Sequence, residues 1–129
     1  METKTNKSTE SRPQGARVLD APLVTMDLKG FIDQIKDEKQ WNDSDRNAIT
    51  IFKTIGMTIV LIALRKDAEM PAHSADGIIS LQVLEGSIYF TTSTDSVELK
   101  EGNMIALHEK LPHRVQAISK CILLLTVAD

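Results

Sequence analysis

The stretches PAHSADGIISLQVLEGSIYF at 71–90 and EGNMIALHEKLPHRVQ at 101–116 decide the fold of this chain. Both contain short runs in which apolar and polar residues partly alternate, and glycine or proline interrupts those runs. This pattern is typical of short antiparallel strands that are separated by tight turns. Gly86 and Gly102 stand where two of the turns are predicted, because glycine adopts a positive φ at little steric cost.

Strand-like composition extends beyond these two stretches, over most of the chain after Ala48. The runs MTIVLIAL at 57–64 and CILLLTV at 121–127 are almost continuously apolar and have the length of buried strands. Both runs are far shorter than the ~18 residues that indicate a membrane-spanning helix. Many short strands with regular turn signals predict an all-β sandwich or barrel.

The N-terminal part differs from the rest in composition. Residues 1–16 are polar and have little surface to bury, so we predict a disordered tail there and a folded domain over 17–129. Asp27 is the predicted N-cap of a helix over about 28–39. The apolar stripe of that helix consists of Leu28, Phe31, Ile32 and Ile35. The stripe indicates either core contact or a partner surface, and Trp41 is interpreted as an anchor between the helix and the barrel.

Composition limits the classes of function that are open to the chain. Its 129 residues are enough for one domain with one hydrophobic core. The net charge is −3 and the basic residues are scattered, which argues against nucleic acid as a partner. Neither an export signal nor a membrane span is recognisable, so we predict a cytoplasmic protein that does not bind membranes. The single cysteine, Cys121, cannot form an intrachain disulfide and is predicted to be buried and unreactive.

The stretch at 71–90 and the residues just before it resemble the first sequence motif of the cupin family. That motif is written G-x5-H-x-H-x3,4-E-x6-G, and Gly86 aligns with its final glycine. In this alignment His73 matches the first histidine of the motif. Ala75 replaces the second histidine, Ile79 replaces the glutamate, and Asp67 replaces the opening glycine.

The stretch at 101–116 resembles the second cupin motif, which is written G-x5-P-x-G-x2-H-x3-N. Gly102 and His113 match its first glycine and its histidine. His108, Lys110 and Ala117 replace its proline, its second glycine and its asparagine. The chain is therefore similar to small single-domain cupins whose metal-ligand motifs are incomplete.

This resemblance implies a double-stranded β-helix, or jelly-roll, barrel with one N-terminal helix and a site at the mouth of the barrel. Cupins typically bind one divalent transition metal there through three histidines and a glutamate. The resemblance makes His73 and His113 the candidate metal ligands. Asp76, three residues after His73, and His108, five residues before His113, are the candidates for a third ligand because of their positions in the sequence. Iron, nickel, manganese and zinc are the candidate metals, and a homodimer is expected because related barrels often pair.

Residues at alternate positions with the two histidines, or with their family counterparts, predict a mainly apolar pocket for a small organic ligand. The predicted lining is His73, Ile79, Leu81, Val83, His113 and Val115. Three hypotheses follow for the function. The first is a binding or sensing module without a catalytic metal, which the loss of two ligand positions favours. The second is a metal-dependent oxygenase or isomerase with a reduced site, and the third is a structural dimer without a ligand.

Overall fold

The structure is a computed structural model, and it describes residues 3–9, 12 and 15–129, without the side chain of His73. Most of the described chain forms antiparallel strands, in agreement with the predicted β fold. The strands are β1 Lys4–Asn6, β2 Arg17–Asp20, β3 Arg46–Thr54, β4 Met57–Leu64, β5 Glu69–His73, β6 Ile78–Glu85, β7 Ser87–Thr92, β8 Ser96–Lys100, β9 Met104–Leu107, β10 His113–Ala117 and β11 Cys121–Ala128. The helices are α1 Leu28–Asp37 and α2 Lys39–Asp43.

Two larger sheets build the body of the domain. One has five strands in the order β3-β4-β11-β6-β9, and the other has four in the order β5-β10-β7-β8. Buried residues from both sheets form one hydrophobic core, in which Val83 of β6 and Leu123 of β11 belong to one sheet and Ile88 of β7 to the other. Strands β6 and β10 bury every second residue over most of their length, as expected for strands with one face on a core.

A second hydrophobic cluster covers the other face of the five-stranded sheet. Helices α1 and α2 pack there, with Ile35 and Trp41 buried against Ile49, Ile51 and Leu61. The apolar stripe of α1 is therefore core contact, and Trp41 is the anchor that the sequence predicted. None of the helices in the described ranges is long and apolar enough to cross a membrane.

The prediction of one helix over about 28–39 is wrong in one respect, because the structure has two short helices. Asp27 caps α1 as predicted, since its side chain accepts a hydrogen bond of 3.1 Å from the backbone N–H of Gly30. The break falls at Glu38, whose backbone is extended with φ −78° and ψ 150°. The Glu38 carboxylate accepts hydrogen bonds from Arg12 and Asn47, which lie far from it in sequence, and these contacts hold the extended residue between the helices.

Several described residues of the N-terminal segment contact the rest of the domain, whereas the disordered tail over 1–16 stays a prediction. Strand β1 pairs with β2, and the Arg12 side chain donates to Glu38 and to the Ala48 carbonyl. Arg17, at the start of β2, donates to the Thr50 carbonyl at 2.7 Å. Both carbonyls belong to β3, an edge strand, so two guanidinium groups satisfy acceptors on the free edge of the five-stranded sheet.

Four turn positions that the motif alignment singles out have a positive φ. Gly86 and Gly102 have φ values of 79° and 88°, which confirms the predicted role of both glycines. Asp67 and Lys110, which replace family glycines, have φ values of 70° and 63°. The backbone therefore keeps the left-handed conformation at these two positions although the residue that adopts it most easily is absent.

Candidate functional site

A small space lies between the two larger sheets, and we call it the intersheet cavity. Its volume is about 20 Å³. Its walls are formed by Ile62, Met70, Ile79, Leu81, Phe90, His113, Val115 and Leu125. Among the described residues of this wall, His113 is the only one with a nitrogen or oxygen atom in its side chain.

His113 begins β10 and its side chain is buried, with 5% of the residue exposed. Its Nδ1 lies 3.1 Å from the carbonyl oxygen of Leu111. A carbonyl oxygen can only accept, so Nδ1 donates this hydrogen bond. The ring also stacks on Phe90, with the centroids 5.5 Å apart and an angle of 15° between the planes. These two contacts hold the imidazole in one orientation.

The strand register explains why these side chains meet. Val115 lies opposite Met70 of β5 on one side and opposite Phe90 of β7 on the other, so the three form one row across the four-stranded sheet. Ile79 of β6 lies opposite Val127 and Leu107 in the five-stranded sheet. Leu81 of β6, two residues further on, lies opposite Leu125 of β11, so side chains from both sheets bound the cavity.

Four of the six predicted pocket residues line the intersheet cavity, namely Ile79, Leu81, His113 and Val115. Val83 is fully buried in the same hydrophobic core but does not lie on the cavity wall. The backbone of His73 pairs with that of His113, whereas the prediction for the His73 side chain lies outside what the structure describes. Binding of a ligand by these residues stays a prediction.

The candidate third metal ligands do not join His113. His108 lies in the loop after β9, its side chain is 83% exposed, and its Nδ1 is 3.7 Å from Glu109. Asp76 is exposed in the loop before β6. No three histidine, cysteine, aspartate or glutamate side chains gather into a metal-binding group within the described residues. Ile79, at the family glutamate position, offers no donor atom, so the described side chains do not fit the ligand set of a cupin metal.

Four cavity residues were missed by the sequence reasoning, which followed only the two motifs. They are Ile62, Met70, Phe90 and Leu125. Phe90 had a usable signal, because SIYFTT alternates and buries Ile88 and Phe90. Met70 carried no such signal, since its place beside Val115 depends on how β5 pairs with β10.

Comparison with known proteins gives matches by structure alone. No protein-family profile matches the sequence, and no curated protein matches it. A conserved protein of unknown function from Streptococcus pyogenes is 21% identical, with a TM-score of 0.68 over 86% of this chain and 90% of that one. An RmlC-like cupin from Desulfovibrio desulfuricans is 24% identical, with a TM-score of 0.61 over 67% of this chain and 84% of that one.

A cupin superfamily protein from Desulfitobacterium hafniense is only 10% identical but covers 85% of this chain and 94% of its own, with a TM-score of 0.68. At such identities the likeness concerns the fold and leaves function to be argued from the site. The sheet order, the paired turn glycines and these structural neighbours agree with the motif alignment, and the chain is a small domain with the cupin fold.

Proposed function

We propose that this chain is a binding domain that holds a small, partly apolar molecule between its two larger sheets, which we infer to form a jelly-roll barrel. The observation that carries the proposal is the imidazole of His113, the one nitrogen-bearing side chain among the described residues of an otherwise apolar wall. An apolar wall with one fixed polar group is typical of sites that bind by burial and orient by one hydrogen bond. The imidazole of His113 would orient the ligand by a hydrogen bond with a hydroxyl or N–H group.

The size of the cavity sets a condition on binding. A volume of about 20 Å³ accommodates roughly one water molecule, whereas sites for drug-sized ligands measure about 300–1,000 Å³. A ligand must therefore displace part of the wall. Met70 is the side chain best suited to move, because methionine is unbranched and β5 is an edge strand with an irregular register beside His113.

The metal-dependent enzyme receives less support from the described residues. Ala75 and Ile79 stand at two family ligand positions without a donor atom, and His108 is exposed on a loop. We therefore propose no reaction step. Elemental analysis of untagged protein purified without chelators tests this choice, and near-stoichiometric metal that a His113→Ala variant loses would favour the enzyme over the binding domain.

The binding proposal is tested with phenol and toluene, which share an aromatic ring but differ in the hydroxyl donor. We expect calorimetric titration to detect phenol binding to wild type, and tighter binding to Met70→Ala, in which the cavity is enlarged. Phenol should bind several-fold tighter than toluene, because one hydrogen bond contributes about 1 kcal/mol. The preference should disappear in a His113→Leu variant. Failure of Met70→Ala to bind either compound, or an unchanged preference in His113→Leu, would contradict the proposal.

We also propose that two copies associate through an exposed apolar row on the five-stranded sheet. Met57, Ala128 and Ile78 lie directly opposite one another on β4, β11 and β6, and each is exposed. Ile55, in the turn before β4, adds a side chain that is 98% exposed. Light scattering of wild type and an Ile78→Asp variant measures the mass directly. A monomeric wild type would contradict the homodimer.

A further inference from the structure

A polar pocket lies beside the N-terminal segment, on the outside of the domain and away from the intersheet cavity. Its volume is about 310 Å³, at the lower end of the range for ligand sites. Its lining consists of Asn6, Lys7, Thr9, Arg12, Arg17, Glu38, Gln40 and Asn47. Its described lining contains three cationic side chains and one carboxylate, and it shares no described residue with the intersheet cavity.

Arg12 forms an ion pair with Glu38, which carries the one carboxylate among the described lining residues. Its Nε lies 3.0 and 2.8 Å from the two oxygens of Glu38, and Nη2 donates to the Ala48 carbonyl at 2.7 Å. Asn47 donates to the same carboxylate at 3.0 Å. Within the described residues, the charge of Glu38 is thus paired at contact distance with Arg12.

Arg17 has only neutral acceptors. Its Nε donates to the Thr50 carbonyl and its Nη1 to the Gly15 carbonyl, each at 2.7 Å. Within the described residues, no carboxylate lies within ion-pair distance of Arg17. Burial, and next the nearby charge of Arg12, lower the pKa of Arg17, and the charge of Glu38 opposes this only in part. A partly buried guanidinium that contacts no carboxylate among the described residues is costly, and an anion that binds beside it lowers that cost.

Lys7 adds a second unmatched charge. It is exposed at the pocket, and it makes no hydrogen bond or ion pair with any described residue. Its removal therefore leaves the contacts of the fold intact. Gln40 completes the polar rim, with its side-chain amide donating to Ser44 at 3.0 Å.

We propose that this pocket is a binding site for an oxyanion, the phosphate or carboxylate group of a small molecule, held by Arg17 and Lys7 with Arg12 fixed beside them by Glu38. Guanidinium groups suit these anions because their planar array of N–H donors matches two oxygens at once. Arg17 supplies the partly buried charge, and Lys7 supplies a mobile one at the rim.

The test is a calorimetric titration of the full chain with inorganic phosphate and, separately, with malonate, at low ionic strength. Phosphate or malonate should bind and raise the melting temperature in a saturable manner, whereas chloride at equal ionic strength should not. Arg17→Gln should weaken binding about tenfold or more, because it removes a charge-assisted contact. Lys7→Gln should weaken it about threefold, as expected for an exposed charge.

Two further comparisons separate specific anion binding from a general effect of charge or of misfolding. Arg46→Gln removes an exposed arginine that already pairs with Asp45 at 2.9 Å, and it should bind the anion as wild type does. Lys7→Gln covers the case in which Arg17→Gln fails to fold. A tighter response to phosphate or to malonate identifies which oxyanion the site takes. Absence of binding by both anions, or equal affinity of wild type and Lys7→Gln, would overturn the proposal.

Discussion

Ile79 and His113 line the same intersheet cavity from opposite sheets, Ile79 from β6 and His113 from β10. In the motif alignment these residues stand at a glutamate and a histidine position of the cupin metal site. The fold has therefore kept the geometry that brings the two positions together, while an aliphatic side chain stands where cupins have a carboxylate. Ile79 is therefore the position from which a carboxylate could be introduced into the wall that contains His113.

The Ile79→Glu variant introduces this carboxylate. A carboxylate without a partner in this apolar wall should lower the free energy of unfolding by roughly 3 kcal/mol or more. Zinc or nickel should recover part of the loss, because the metal would neutralise the carboxylate beside the imidazole of His113. Thermal unfolding with and without each ion measures both effects.

Ile79→Gln is the matched control for this experiment, since it has the same shape without the charge. It should be destabilised but should respond to metal no more than wild type. An identical metal response of Ile79→Glu and Ile79→Gln would show that the added carboxylate does not meet a bound ion at this position.

The motif spacing predicted the fold and part of the cavity, for a physical reason. Strand alternation and turn glycines are local signals, so counting back from Gly86 was enough to place Ile79 on the inward face of β6. The break at Glu38 could not be predicted, because it depends on Arg12, 26 residues away. The place of Met70 in the cavity wall could not be predicted for a similar reason. It lies beside Val115 because of the pairing between β5 and β10, and not because of a local sequence pattern.

The two turn glycines should respond differently to alanine. Both have a positive φ, so each Gly→Ala change should cost about 1–2 kcal/mol in the free energy of unfolding. A Cβ at Gly86 would also overlap the backbone carbonyl oxygen of Lys120, whereas a Cβ at Gly102 meets no atom within 4 Å. Urea denaturation should therefore show a clearly larger loss for Gly86→Ala than for Gly102→Ala. Equal losses of unfolding free energy would mean that the backbone at Lys120 moves away from the added Cβ at little cost.

At Lys110 the reverse test is possible, because a non-glycine residue with a positive φ can be replaced by glycine. It has φ 63° at a position where cupins have glycine, and its backbone N–H donates to the Ala75 carbonyl at 2.7 Å. Lys110→Gly should relieve the left-handed strain and raise the free energy of unfolding by roughly 0.5–1 kcal/mol, after the entropy that glycine adds to the unfolded chain. Lys100→Gly, within strand β8, is the control and should be destabilising. A loss of stability in Lys110→Gly would contradict this account.

Glu38 should make stability depend on acid pH. Burial favours its protonated form, but hydrogen bonds from Arg12, Asn47 and Gln34 and the charge of Arg12 outweigh burial and lower its pKa below 4.5. A lowered folded pKa stabilises the fold above the unfolded value, and this contribution disappears as the pH falls through the folded pKa. The difference in unfolding free energy between wild type and Glu38→Gln should thus be constant near neutral pH and shrink below about pH 4.5.

Denaturation curves of both proteins from neutral to strongly acid pH measure this difference. Glu98→Gln, which removes one exposed charge from strand β8, controls for the change in net charge. The difference in unfolding free energy between wild type and Glu38→Gln could instead stay constant down to the lowest pH measured. This result would mean that the Glu38 network contributes through packing and not through charge.

The rate at which the Cys121 thiol is labelled should report global unfolding. It is almost fully buried at the start of β11, and burial, only partly opposed by a hydrogen bond with the backbone of Leu64, raises the pKa of its thiol to about 11. At neutral pH only about one thiol in ten thousand would then be ionised, and reagents cannot reach it in the folded chain. Labelling with a disulfide reagent should be slow in native buffer, and its rate should rise with urea in proportion to the unfolded population. A Lys120→Cys, Cys121→Ala double variant, with its thiol one residue earlier on the surface, should react at once. Rapid labelling of wild type under native conditions would instead mean that the end of β11 opens locally, without unfolding of the rest of the sheet.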